Sequence, residues 1–500
     1  MNQNQTPLFD AVKKHIEREV IPFHVPGHKH GNGISEFREF VGDNVLKMDL
    51  NSMSDIDDAC NPIGVIAESQ KLFAEAYGAE HAYFLVNGSS SGIQTMIMSA
   101  CKPGDQIILP RNAHKSALSG IILSGAVPVY VQPEINEELG IAMGITEVAL
   151  KNAIKKHPHA KAVFVVNPTY YGVSSDIKSI VKIARKNNMA VLIDEAHGAH
   201  MPFHKDFPLT AMEVGADMST VSTHKTGGSL TQSAALLLRS NIIKPEKVRQ
   251  ILNLTYTTSA SYLLMSSIDV ARKQLATKGF EMLDNVLKLA RKAREDINKI
   301  EGLYSPGKEL IGTTGCYDFD ETKLTVNIKN LGLTGYEMEN ILVNDYNIQI
   351  EFADLFNIFL IITLGDKEEY IDALVKALKE IAQKRDKKAV NKAAKIPFNP
   401  EMIISPREAF YSQKKTVALE DSEGEICGEM IMAYPPGIPV ISMGERISKD
   451  VIDYVKILKK EKCQLQGTSD PYVNNIRVIA KPTYLLKNNF QFGEYAEYSD

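Results

Sequence analysis

The chain is sparing with cysteine. It has five in 500 residues (Cys60, Cys101, Cys316, Cys427 and Cys463), and no two form a C-x-x-C pair. That excludes a disulfide framework and a paired-cysteine zinc site; reduced thiols in a reducing compartment are expected. No apolar run is long enough to cross a bilayer. The opening MNQNQTPLFDAVKKHIEREV has no apolar signal core, so a cytoplasmic protein is expected. A basic excess is also missing: the net charge is -5, which argues against a nucleic-acid-binding surface. Low-complexity tracts and internal repeats are absent. What remains, 44% hydrophobic and 23% charged residues, is the composition of a soluble globular protein. At this length two to four domains are expected.

From about Glu80 to Arg239, short apolar runs alternate with amphipathic stretches. The strand candidates are HAYFLV, QIILP, VPVYV, AVFVVNP, AVLIDEA, MSTVS and AALLLR; ITEVALKNAIKKH and SDIKSIVKIARKNN carry apolar residues at helical spacing. This alternation predicts an α/β fold with a mostly parallel central sheet, covered on both faces. In such sheets ligands bind beyond the carboxyl ends of the strands, so strand-end residues are the first functional candidates. A second alternating region contains LTVNIKN, IFLIITLG and the amphipathic KEEYIDALVKALKEIAQKRD. The expected division is an N-terminal arm over 1–45, a large domain over 46–265, a small α/β domain over 266–385, a basic linker over 386–398 and a C-terminal α+β domain over 399–500.

The stretch VLIDEAHGAH, residues 191–200, admits three readings. As the acidic box of an ATPase it needs an upstream phosphate loop. GLYSPGKE, the near miss at 302–309, lies downstream and ends in Glu309 where a hydroxyl is required. As a metal site it offers His197 and His200, with His24, His28 and His30 elsewhere, but no H-E-x-x-H occurs, and no metal is expected. The third reading places Asp194 opposite the ring nitrogen of pyridoxal 5′-phosphate (PLP). That cofactor needs a lysine for its Schiff base, a carboxylate at its pyridine nitrogen and a phosphate cradle. STVSTHKTGG ends a strand candidate at His224 and Lys225, and a lysine held in a cleft loses proton affinity. FLVNGSSSGIQTMIMSA is a strand, a Gly/Ser turn and a helix. Its helix start and the hydroxyls of Ser89, Ser90 and Ser91 suit a phosphate dianion.

Taken together, HVPGHKHG, RNAHKS, DEAHGAH, STHKTGGSLTQSA, TYTTSASY and SPREAFYS…AYPPGIPV resemble the bacterial Orn/Lys/Arg decarboxylases. The resemblance runs over nearly the whole chain. It implies a PLP-dependent transferase of fold type I, the aspartate-aminotransferase-like fold, on the short biosynthetic branch without an amino-terminal wing domain. It further implies that Lys225 forms the Schiff base, Asp194 pairs with the pyridinium and His114 stacks on the ring face. Ser90, Ser91 and Ser222 bind the phosphate. His197 lies near the ring and its 3′ oxygen, and His224 stands at the reacting face. Thr257 or Thr258 reaches a neighbouring subunit's phosphate, which implies a homodimer with shared sites. Bland roles stay open: His114 as a helix cap, His197 as an internal hydrogen-bonding group, Ser222 as a strand-end hydroxyl.

The implied reaction is decarboxylation of a basic L-amino acid, arginine to agmatine first, with lysine and ornithine as alternatives. A cationic side chain needs a carboxylate, and Glu445, Asp57 and Asp58 are the candidates, the last two equally suited to turn capping. A PLP aminotransferase or carbon–carbon lyase usually clamps the substrate carboxylate with a small-domain arginine. None occurs between Thr322 and Glu380. A PLP-fold regulator would need a DNA-binding segment, and no helix-turn-helix-like arm is present.

Overall fold

A computed structural model describes residues 1–385, 400–433 and 438–481. The seven apolar runs form one sheet: β1 (His81–Leu85), β2 (Gln106–Pro110), β3 (Val127–Val131), β4 (Ala162–Val166), β5 (Ala190–Asp194), β6 (Met218–Val221) and β7 (Ala234–Leu238). Their spatial order is β1-β7-β6-β5-β4-β2-β3. Only β7 runs against the others, antiparallel to both β1 and β6. The strands are mostly apolar because helices bury both faces; every residue of β5 and β7 is buried.

The helices follow from capping and periodicity. α1 (Pro7–Glu17) places Leu8 and Val12 in the core of the large sheet, so the first residues pack on that body. α2 (Gly88–Ala100) and α3 (Lys115–Ser124) each leave a strand end. Thr146 caps α4 (Glu147–Lys156) and Asp176 caps α5 (Ile177–Lys186), whose buried Ile177, Ile180, Val181 and Ala184 keep helical spacing. α6 (Tyr262–Asn298) is an unbroken helix of 37 residues. It crosses the boundary expected at 265/266. Near its start Asp269 accepts the N–H groups of Leu8 and Phe9 and pairs with the fully buried Arg272, which donates to the carbonyls of Gln3 and Gln5.

The small sheet consists of β8 (Lys323–Asn327), β9 (Phe352–Ala353) and β10 (Asn357–Ile361), in the order β8-β10-β9. α7 (Glu368–Gln383) packs its apolar stripe against α6 and joins this second core. The C-terminal unit has its own core, centred on Cys427, Ile431, Ile441, Val451 and Val478, and mixes short strands with the helix Lys449–Lys460. The linker expected over 386–398, residues 434–437 of AYPPGIPV and residues 482–500 lie outside the described residues.

Candidate active site

Side chains from the carboxyl ends of β1, β2, β4, β5 and β6 meet in a cleft of about 450 Å³, a volume typical of small-ligand sites. β1 leads into α2 through Gly88, whose φ of +67° suits glycine, and Ser89 and Ser90 occupy the first turn. Gly92 lets this turn lie on the sheet: a Cβ there would stand 2.3 Å from Thr220 Oγ1. Ser222, just beyond β6, donates to the Ser89 hydroxyl at 2.8 Å. The helix start and three hydroxyls thus form an anion cradle. Ser91 does not belong to it. Its hydroxyl donates to the Gly88 carbonyl as an ordinary helical back-bond, and it does not line the cleft.

Asp194 ends β5, with Oδ1 accepting the Ala196 N–H at 3.0 Å. Burial raises its carboxyl to about 6. Lys225 sits on the short helix Thr223–Thr226 after β6, and burial lowers its amine. Its Nζ is 2.8 Å from His197 Nε2 and 5.8 Å from the centre of the Tyr170 ring. Tyr170 stands edge-on to His197, centroids 4.8 Å apart. Burial, then the neighbouring Lys225, holds His197 well below the usual histidine range, so its imidazole is neutral. His114 caps α3, accepting the Ser116 N–H, and it also lines the cleft. Burial lowers it to about 4. His224 lines the cleft with its Nδ1 2.8 Å from the Ser233 carbonyl.

Five expected residues are elsewhere. Glu445 is fully buried, bound by both terminal nitrogens of Arg111 and by the Ser442 N–H, and does not line the cleft. Both Glu445 oxygens are taken up by the Arg111 guanidinium, and the residue is not among those that line this chain's cleft. Thr257 and Thr258 are exposed on the turn before α6 and do not reach this chain's cleft. Asp57 accepts the N–H groups of Ile63, Gly64 and Ile66, and Asp58 that of Cys60; both are turn caps.

The cleft also holds residues not anticipated from the sequence. Tyr170 follows the β4 run closely and was within reach of the strand-end rule. Glu351, exposed beside β9 and attracting both Lys225 and His224, carries no local signal. Among the described residues no group of three or more His, Cys, Asp or Glu is placed to hold a metal ion. His200 lies 3.2 Å from Asp320, apart from Lys225.

The residues present fit PLP. The cradle suits its phosphate, Asp194 its ring nitrogen, and Lys225 its aldehyde. His197 Nδ1 is buried without a hydrogen-bond partner among the described residues, and can serve an oxygen on the ring.

Comparison with known proteins agrees. Residues 6–370 match the family model for the Orn/Lys/Arg decarboxylase major domain, and 387–470 that for its C-terminal domain. An arginine decarboxylase of Bacillus subtilis is 46% identical over 483 residues, 96% of this chain and 99% of that protein. The structure of Francisella novicida lysine decarboxylase LdcF superposes with a TM-score of 0.83 at 20% identity, covering 95% of this chain and 81% of that one. An alanine–glyoxylate aminotransferase from Nostoc sp. gives 0.54 at 16% identity, over 68% and 91%. The α/β fold is therefore the aspartate-aminotransferase-like one expected, and the chain belongs to the Orn/Lys/Arg decarboxylase family.

Proposed function

We propose that this protein removes CO2 from a basic L-amino acid with PLP as cofactor, converting L-arginine to agmatine. The observation that carries this reading is the convergence of Lys225, Asp194 and the Ser89, Ser90 and Ser222 hydroxyls in one cleft. The likeness to an arginine decarboxylase over nearly the whole chain supports arginine before lysine or ornithine.

PLP, when bound, supplies a Schiff-base carbon and a conjugated ring that accepts the electron pair left as CO2 departs. The chain's residues provide the rest. Burial keeps the Lys225 amine closer to its unprotonated, nucleophilic form. Asp194, as a carboxylate, holds a proton on the ring nitrogen. Neutral His114 presents an uncharged face to the ring, and neutral His197 accepts a hydrogen bond from the amine of Lys225. Lys225 and His224 are the groups placed to return a proton to Cα. Glu351, at the cleft, receives the substrate's distal cation through a charge-assisted bond.

We further propose a homodimer acting in the cytoplasm. Ile21, Phe23, Phe40 and Ile63 are largely exposed apolar side chains that a second copy would cover, and Thr257 and Thr258 are exposed on the turn before α6. All five cysteines are free thiols, as a reducing compartment requires. No described helix is long and apolar enough to cross a membrane.

The test is to supply PLP-loaded protein with L-arginine, L-lysine and L-ornithine separately and assay both CO2 and amine. Agmatine and CO2 from arginine alone support the reading. Preference for lysine or ornithine changes the substrate, and no CO2 from any of them overturns it.

A further inference from the structure

Glu445 and Arg111 are 334 residues apart in sequence and make the one bidentate contact described between the C-terminal unit and the turn bearing His114. Arg111 is the first residue after β2, and its backbone N–H donates to Val131 of β3. Three residues on, His114 begins α3. The Arg111 guanidinium lies 4.8 Å from the Tyr130 ring centre and donates to both Glu445 oxygens, at 2.8 Å for Nη2–Oε2. Glu445 Oε2 also accepts the Ser442 N–H at 2.7 Å. The pair is buried, Arg111 8% and Glu445 0% exposed. Beside it a small cavity is walled by Ala113, His114 and Tyr130 on one side and Pro439 and Ser442 on the other. The C-terminal unit therefore backs directly onto His114.

We infer that Glu445 is a positioning residue: by clamping Arg111 it fixes the turn 111–114, and so sets where the His114 ring stands in the cleft. A bidentate guanidinium–carboxylate pair has one planar geometry, and burial removes the water that would otherwise blur it. Removing the Glu445 carboxylate while the C-terminal unit stays docked would strand the Arg111 charge in the interior, which is strongly unfavourable. Docking of that unit and placement of the turn are thus one event. An aromatic ring facing a cofactor has to be held to a fraction of an ångström, and displacements near 1 Å can lower rates by about 10²-fold.

This inference rests on the PLP reading, and the experiment separates the two. Apo-protein is titrated with PLP and Kd read from the visible band, for the wild type, Glu445→Gln, Arg111→Lys and the double variant Arg111→Met/Glu445→Met. The same Glu445→Gln change is also made in a His114→Ala background. Both single variants should raise Kd about tenfold and lower kcat, with KM for the amino acid nearly unchanged. The volume-conserving Met/Met pair should recover the melting temperature without recovering the PLP affinity. In the His114→Ala background, Glu445→Gln should change Kd no further, because its effect acts through the missing ring. Wild-type affinity in the single variants, restored affinity in the Met/Met pair, or a full additional loss in the His114→Ala background would each overturn the inference. A wild type that gives no visible band overturns the PLP reading instead.

Discussion

Lys225 Nζ and His197 Nε2 are 2.8 Å apart, although 28 residues separate them and they follow different strands. Burial lowers the proton affinity of both, so each stabilises the other as a neutral or singly protonated pair. Lys225→Ala should fold normally, show no visible cofactor band and lose about 10⁴-fold in turnover. A persisting band would show that another amine carries the cofactor. His197→Asn removes the acceptor and should lower turnover about 10- to 100-fold.

Asp194 gives a pH signature. Its carboxyl is raised on burial from 3.8 to about 6, so the folded chain holds that proton more tightly than the unfolded chain. Its contribution therefore becomes less favourable as pH rises from about 4 to 6, by about 3 kcal/mol in all. In the cofactor-free protein, Asp194→Asn should gain melting temperature relative to wild type across that window. A difference constant from pH 4 to 7 would show that Asp194 does not titrate there. With PLP added, the same variant should lose at least about 10²-fold in turnover, having no charge to hold the ring proton.

Glu351→Gln keeps shape and removes charge. KM for arginine should rise about 10- to 100-fold while kcat changes little, as expected for a lost charge-assisted bond. Unchanged KM would return the search for the cation's partner to the neighbouring subunit.

Asp269→Ala leaves Arg272 buried without its carboxylate and removes the acceptor for the first N–H groups of α1. Unfolding stability should fall by about 3–5 kcal/mol, measured by urea denaturation, with KM for arginine unaltered.

Much of the site could be seen in the sequence because the sheet puts function at strand ends. Asp194, Ser222 and Lys225 each terminate or follow an apolar run, and that local punctuation survives folding. Roles that depend on distant partners were hidden. Nothing near Glu445 announces Arg111, so its carboxylate looked available when it was already paired. Glu351 sits in NIQIEFAD, a short alternation of apolar and polar residues without a motif, and enters the cleft only because the small sheet packs there. Ser91 shows the limit of motif-level reading: within one Gly/Ser turn, the helical geometry turns Ser89 and Ser90 to the cleft and Ser91 to its own backbone.

α6 starts in the core of the large sheet with Tyr262, Met265 and Ile268 and ends in the second core with Val286, Leu289, Ala293 and Ile297. At 1.5 Å per residue its 37 residues form a spindle of about 55 Å threaded through two hydrophobic bodies. Neither body can melt without fraying the helix that the other needs. In calorimetry of the full chain these two cores should therefore unfold within one endotherm, although they are separate clusters of buried residues.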